Sequence, residues 1–224
     1  MNSPKFLLLV SLLLNSISAH SSSSDLDNNS WQALRFLKKT EFHTEREKAL
    51  FFNACQVTYT RSLLYSYDNR TPYQSPYCST LNSTIADKIQ RNEMADLSIK
   101  LINNHVGYGV FAKHAIAQGQ YIGEFAGQLK KIEDRSTNIY YAYHSKGCVV
   151  DAGLYGNEIR FINDGEQHSN CQAWAILGHD GMSHIAMIAQ RNIEAQEQLT
   201  MTYSANFWNS CSLDAYQDMR HYRY

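Results

Sequence analysis

Arg160-Phe161-Ile162-Asn163-Asp164-Gly165 is the stretch on which the fold of this chain turns. Two apolar residues stand between a guanidinium and a carboxamide, and an Asp-Gly turn pair follows. Val150-Asp151-Ala152 and Gly156-Asn157 lead into it, and Asn170-Cys171 closes it. Asparagines spaced around a turn-rich stretch offer directional donors and acceptors. Taken singly, the same residues also serve to cap turns.

Outward from this stretch the chain reads as short strands. Upstream stand Gly107-Tyr108-Gly109-Val110-Phe111-Ala112, then Ile116, then Ile122-Gly123-Glu124-Phe125-Ala126-Gly127. Paired glycines let a backbone approach a neighbour or ligand closely. Downstream stand Ala189-Gln190-Arg191-Asn192-Ile193, Glu197-Gln198-Leu199-Thr200-Met201-Thr202-Tyr203 and Phe207-Trp208. Strand-type runs fall at 97–102, 109–112, 120–125, 148–151 and 185–189, broken by Gly and Asn. The fold class expected is mainly β with flanking helices (α+β).

In this order and spacing, the three groups of segments resemble the SET domain of protein lysine methyltransferases, over about residues 97–210. The family pattern has G-x-G near the start, V-D-A, R-F-I-N-H-S with a later N-C, and E-E-L-x-x-D-Y near the end. The resemblance implies a β-clip of small curved sheets with a threaded, pseudoknot-like segment, and S-adenosyl-L-methionine as cofactor. Cofactor and target lysine would enter from opposite faces. It assigns cofactor binding to Gly107, Tyr108, Gly109, Asn163, the main chain at Asp164, and Trp208, with Phe207 helping to cover the site. It makes Tyr203 the catalytic tyrosine, with Tyr141, in Tyr140-Tyr141-Ala142-Tyr143, beside the lysine channel, and gives Arg160 a bracing role. The implied activity is methyl transfer to a lysine amine of a protein or peptide, a histone among the candidates. The alternative is a non-catalytic SET module that binds protein with a decayed cofactor site.

Three departures from the pattern bear on that choice. Asp164-Gly165 stand where the family has histidine and serine, Thr202 where it has an acid, and Gln196 where it has a glycine. Met201 stands two residues before Tyr203, where relatives often carry Phe or Tyr that limits methylation. A thioether there leads us to expect a di- or trimethylated product. Glu158, Asp164 and Glu166 are expected to attract a basic peptide.

The rest of the chain divides accordingly. Lys5 followed by Phe6–Leu14 and a small-residue exit at Ala19 reads as a signal peptide, residues 1–19, too short to span a membrane comfortably. Secretion or export, with action in a recipient cell, is the localisation expected. Residues 20–96 read as a helical N-terminal region. Helical spacing runs from Trp31 to about Tyr65, and the capping box Thr44-Glu45-Arg46-Glu47 restarts the helix. A loop at 67–77 and a short helix at 84–94 follow, and 211–224 forms a weakly helical tail. Asn28, Asn69 and Asn82 begin glycosylation sequons.

Composition narrows the function classes. The 224 residues are 44% apolar and 18% charged, with a net charge of −1. That gives no electrostatic footprint for direct nucleic-acid binding. The five cysteines show no C-x-x-C spacing, so no metal site is assigned; one or two disulfides are open to an exported chain. Histidines 114, 144, 168, 179 and 184 read as surface or loop residues, and no Ser-His-Asp order suggests a hydrolase.

Overall fold

The computed structural model describes residues 39–65, 81–103, 106–131, 141–145 (main chain) and 148–203. The signal peptide, the loop at 67–77, the tail at 211–224, and the sequons at Asn28 and Asn69 lie outside the described residues.

Among the described residues, two short α-helices, two 3-10 turns and four small sheets make up the fold. β1 (Glu41–Phe42) pairs with β3 (Leu97–Asn103), and β3 pairs with β4 (Gly107–Ala112), all antiparallel. β6 (Gln128–Lys131) and β7 (Tyr141–Ser145) flank β8 (Cys148–Asp151). β2 (Thr58–Tyr59) runs parallel to β9 (Tyr155–Gly156). The largest sheet has the order β10-β13-β11-β12-β5, from β10 (Asn163–Asp164), β13 (Thr200–Met201), β11 (Cys171–Leu177), β12 (Ser183–Ala189) and β5 (Tyr121–Glu124).

The position of β13 makes the fold. It lies parallel to both β10 and β11, between them, although those two are joined by residues 165–170. The chain near its last described residues is therefore threaded beneath that connection. This is the pseudoknot-like crossing the sequence led us to expect.

Helix α1 (Glu45–Ala54) begins at the expected capping box: the Glu47 N–H donates to Thr44 Oγ1 at 3.2 Å, and the Thr44 N–H to Glu47 Oε2 at 3.0 Å. The helix stops at Cys55, and Gln56 turns the chain at φ 56°. The expectation of helix as far as Tyr65 is corrected here: 58–59 is a strand, held by main-chain bonds such as the Thr58 N–H to Leu154 O at 2.8 Å. Likewise 41–42 is a strand, so the N-terminal region contributes β as well as α structure. Helix α2 (Ser83–Gln90) is capped by the sequon residue Asn82, whose Oδ1 accepts the Ile85 N–H at 3.1 Å. It ends short of Met94, with Asn92 at φ 53°.

The described N-terminal residues pack into the core of the rest of the chain. Phe42, Phe51, Phe52, Val57 and Leu63 are buried in one cluster with Ile99, Val110, Val150, Phe161 and Leu199. Phe51 meets Phe42 at 4.7 Å, Tyr108 at 4.7 Å and Phe161 at 5.4 Å between ring centroids, so it touches two of the motif segments from outside them. Cys55, Cys148 and Cys171 are free thiols; Cys78 and Cys211 lie outside the described residues. No helix among the described residues is long and apolar enough to cross a membrane.

Candidate functional site

The threaded crossing brings the three sequence motifs to one place. Asn163, at the start of β10, donates from Nδ2 to the Tyr108 carbonyl at 3.1 Å, joining the central motif to the glycine-flanked one. Gly109 makes this approach possible. A methyl group there would stand 2.6 Å from Ile102 Cδ1, 2.9 Å from Gln198 Nε2 and 3.1 Å from Asn163 Nδ2. Gly107 differs: it holds φ +82°, and a methyl group on it would meet nothing within 4 Å, so its main chain borders open space. Tyr108 turns its ring into the aromatic cluster, and burial raises its phenol above the ordinary value.

Tyr203 is pinned at both ends. Its hydroxyl donates to the Ile162 carbonyl at 2.6 Å, and its N–H donates to Asp164 Oδ1 at 3.1 Å. The two acceptors flank Asn163 in sequence. The third motif is thereby fixed on either side of the residue that holds the first.

Asn170 secures the other side of the loop. The side chain is buried, donating to Glu197 Oε1 at 2.9 Å and the Gln198 carbonyl at 2.8 Å, and accepting the Thr200 N–H at 2.8 Å. Arg191 hydrogen-bonds Glu197 at 2.6 Å and holds its carboxyl down at about 2, so Glu197 stays an anion. Arg160 is buried, its guanidinium 5.2 Å from the Phe161 ring.

Two sequence expectations are corrected. Glu158 does not face a basic peptide: it is wholly buried, ion-paired with buried Lys48 of α1 at 2.7 Å, and accepts the Tyr59 hydroxyl at 2.9 Å. Burial alone would lower the Lys48 pKa, but the charge and hydrogen bond of Glu158, joined by those of Glu45 at 2.6 Å, together outweigh it and raise the value. Asp164 is also engaged, through the bond to Tyr203. His184 is not a surface residue: it is buried between Glu124, at 2.6 Å from Nδ1, and Asp180, at 3.1 Å from Nε2.

Tyr141 lies on β7 opposite Asp151. Its side chain, and the whole of Phe207 and Trp208, lie outside the described residues. Sequence reasoning missed Lys48, Ser169 and Thr200 as contributors. A lysine in α1 carries no local sign of a partner more than a hundred residues away, whereas the Asp-Gly pair was itself a readable turn signal.

The sequence profile of the SET domain matches residues 107–204. The histone-lysine N-methyltransferase ash1 of Drosophila melanogaster is 30% identical over 69% of this chain, which spans 8% of that protein. The putative histone-lysine N-methyltransferase ASHH4 of Arabidopsis thaliana is 34% identical over 43% of this chain, which spans 30% of that protein. The variant-silencing SET domain-containing protein of Plasmodium falciparum is 30% identical over 58% of this chain, which spans 6% of it. In fold, the chain is similar to the crystal structure of ATXR5 in complex with a mono-methylated histone H3.1, with a TM-score of 0.60 at 17% identity, covering 80% of this chain and 92% of that one.

Proposed function

We propose, from the match of residues 107–204 to the SET domain, that this chain is a protein-lysine N-methyltransferase acting on a lysine-containing protein or peptide with S-adenosyl-L-methionine. The observation that carries the reading is the convergence of Gly107–Gly109, Asn163 and Tyr203 on one threaded crossing, linked by the Asn163–Tyr108 and Tyr203–Ile162 hydrogen bonds.

The residues present fit the cofactor. Gly107 leaves main chain bordering open space, and half-buried Asn163 has no partner for its Oδ1 among the described residues. In this reading Gly107, Tyr108, Gly109, Asn163 and the main chain at Asp164 hold the cofactor, with Trp208 over it, while Tyr203 and Tyr141 align the lysine. When bound, the cofactor supplies a methyl group already activated on a sulfonium, so the protein need furnish no nucleophile of its own. Its task is proximity and alignment.

Free lysine, with a pKa of about 10.4, arrives protonated. The amine must shed this proton to solvent before it can accept the methyl group, and desolvation among aromatic side chains would favour that neutral form. Tyr203 is suited to the next step for a reason visible in its bonds. Its proton is committed to the Ile162 carbonyl, so its oxygen offers lone pairs to the amine N–H. That makes Tyr203 an aligner, not a base.

Histones are the first substrates to test, because the matched relatives ash1 and ASHH4 are named for that activity. Export to a recipient cell, the reading of Lys5 and Phe6–Leu14, would put the target there; retention of the chain in the cytoplasm of its producer would count against this.

The test is transfer of labelled methyl from S-adenosylmethionine to core histones and whole-cell lysate, with calorimetry of cofactor binding. Labelling is the expected result. Absence of both labelling and binding would overturn the reading in favour of a non-catalytic, protein-binding SET module.

A further inference from the structure

The residues that depart from the family pattern at 164, 165 and 202 are neighbours in space and make one clasp with Ser169 and Thr200. Asp164 Oδ1 accepts the Glu166 N–H at 3.0 Å and the Tyr203 N–H at 3.1 Å. The first bond closes a turn within the loop, where Glu166 sits at φ 50°. The second crosses to the threaded chain. One carboxylate oxygen thus ties the loop to the segment passing beneath it.

Its neighbours depend on the same closeness. A methyl group on Gly165 would stand 2.5 Å from Thr200 Oγ1 and 2.6 Å from Thr200 Cβ. The Cβ of a strand residue cannot swing away, so the serine of the family pattern does not fit here. The Thr202 hydroxyl donates to the Glu166 carbonyl at 2.6 Å and lies 3.0 Å from Ser169 Oγ. Ser169 bonds the same carbonyl at 3.0 Å. An ionised acid at 202 has no proton to give that carbonyl. Gly165 and Thr202 therefore each suit this clasp, where the family's serine and acid would not.

We infer that the Asp164 carboxylate is a positioning residue for Tyr203. It touches no reacting group. It fixes the tyrosine main chain on one side of Asn163 while the Ile162 carbonyl fixes the phenol on the other. Without it the tyrosine main chain loses its hold on the loop and the phenol oxygen loses its aim. In its kinetic consequences this rests on the methyltransferase reading; in its structural consequence it does not.

The full chain is compared with Asp164→Ala, Asp164→Asn and Asp164→Ser, each checked for folding by its melting transition. Asparagine keeps an acceptor oxygen in place. Serine still closes a local turn but is too short to reach the Tyr203 N–H, so it separates the loop's own needs from those of Tyr203 and serves where the alanine chain fails to fold. Two quantities are read: hydrogen exchange at the Tyr203 amide, and kcat on core histones beside the dissociation constant for S-adenosylmethionine.

In Asp164→Ala and Asp164→Ser, Tyr203 exchange is expected to rise at least about tenfold and kcat to fall about a hundredfold, the scale on which small misplacements act. Cofactor affinity should stay within about threefold, and Asp164→Asn should recover both readouts to within about threefold of the parent. Unchanged Tyr203 exchange in the alanine and serine chains would overturn the inference. So would a loss of cofactor affinity that accounts for the whole loss of rate, or an asparagine chain as impaired as alanine. If the parent chain labels no histone, that failure belongs to the methyltransferase reading, and amide exchange alone decides the role of Asp164.

Discussion

At the scale of single residues, Tyr203 shows how much a motif position leaves unsaid. The order of motifs singles it out, but not the direction in which its proton points. The structure supplies that: the hydroxyl donates to the Ile162 carbonyl at 2.6 Å. Tyr203→Phe removes the donor and the alignment together, so kcat should fall about a hundredfold with cofactor affinity nearly unchanged. The half-buried Ile162 carbonyl loses its partner, which should cost about 1 kcal/mol of stability by urea titration. A variant that retains parental kcat would remove Tyr203 from the alignment of the amine. Met201 carries a second expectation. It is half buried on β13 between Asp164 and Cys171, with no hydroxyl to hold a water. Intact-mass spectrometry of a peptide product should show di- or trimethyl species, and Met201→Tyr should shift the distribution toward monomethyl. A strictly monomethyl product from the parent chain would refute this. Gly107, Gly109 and Asn163 were legible because their chemistry is local: a backbone without a Cβ, a carboxamide after two apolar residues. The Asp164 side chain was not, because its partner is the main-chain N–H of Tyr203, and main-chain donors leave no mark in a sequence.

At the scale of elements, legibility followed length and periodicity. Runs with a continuous apolar character, such as Val149-Val150 in β8 or Ile185–Ala189 in β12, were found with their boundaries nearly right. Strands of two residues were not. β2, β9, β10 and β13 exist only through their partners, and no window of two residues holds a period. The helical spacing that suggested helix through Tyr65 fails at Gln56 for the same reason. The main-chain groups after it are satisfied by residues 154–156, which a local reading does not see. The same distance hid the contact that fixes α1 to the site. Lys48 and Glu158 are both buried and lie 2.7 Å apart, and Glu158 begins the turn that leads through Arg160 to Asn163. Removing Lys48 strands the Glu158 charge in the core, whereas Lys48 itself also has Glu45 at 2.6 Å. Lys48→Met should therefore destabilise the chain by about 3–5 kcal/mol, whereas Lys48→Met combined with Glu158→Leu should recover most of that loss. Chemical denaturation of the two singles and the double checks this. A double variant as weak as the worse single would show that shape, not charge, makes the contact.

At the scale of the whole molecule, two buried clusters unite the described N-terminal residues with the strands that follow, and an ion cluster around buried His184 lies beside them. His184 of β12 is held between Glu124 of β5 and Asp180, and Asp180 also accepts the Tyr65 hydroxyl at 3.0 Å, so the cluster ties the N-terminal segment to the largest sheet. Burial pulls the imidazole pKa down, but the hydrogen bond and charge of Glu124, joined by those of Asp180, outweigh it and lift it to about 9. The folded value lies above the unfolded one of about 6.5. The stabilisation is therefore complete below pH 6.5 and is lost as pH rises through about 9, up to about 3 kcal/mol in all. Glu124 acts in the same sense: burial raises its carboxyl, more than His184 lowers it, so its contribution also falls with rising pH. Asp180 opposes only in acid. Burial raises it, but the Met182 N–H and His184 bring it below its ordinary 3.8, and its contribution is lost as pH falls through that folded value. The thiols of half-buried Cys55 and buried Cys171, pushed up by desolvation to about 11 and about 12 from an ordinary 9.0, begin to favour unfolding only above that ordinary value. The interval between pH 6.5 and 9 thus belongs to the His184 cluster. Urea titrations across it should show the parent losing stability steadily. His184→Gln, which cannot carry the charge, should be less stable at pH 6 and lose less stability over the same interval. A parent profile without slope there, or the same slope in both chains, would mean that the imidazolium contributes nothing to holding the N-terminal segment on the sheet.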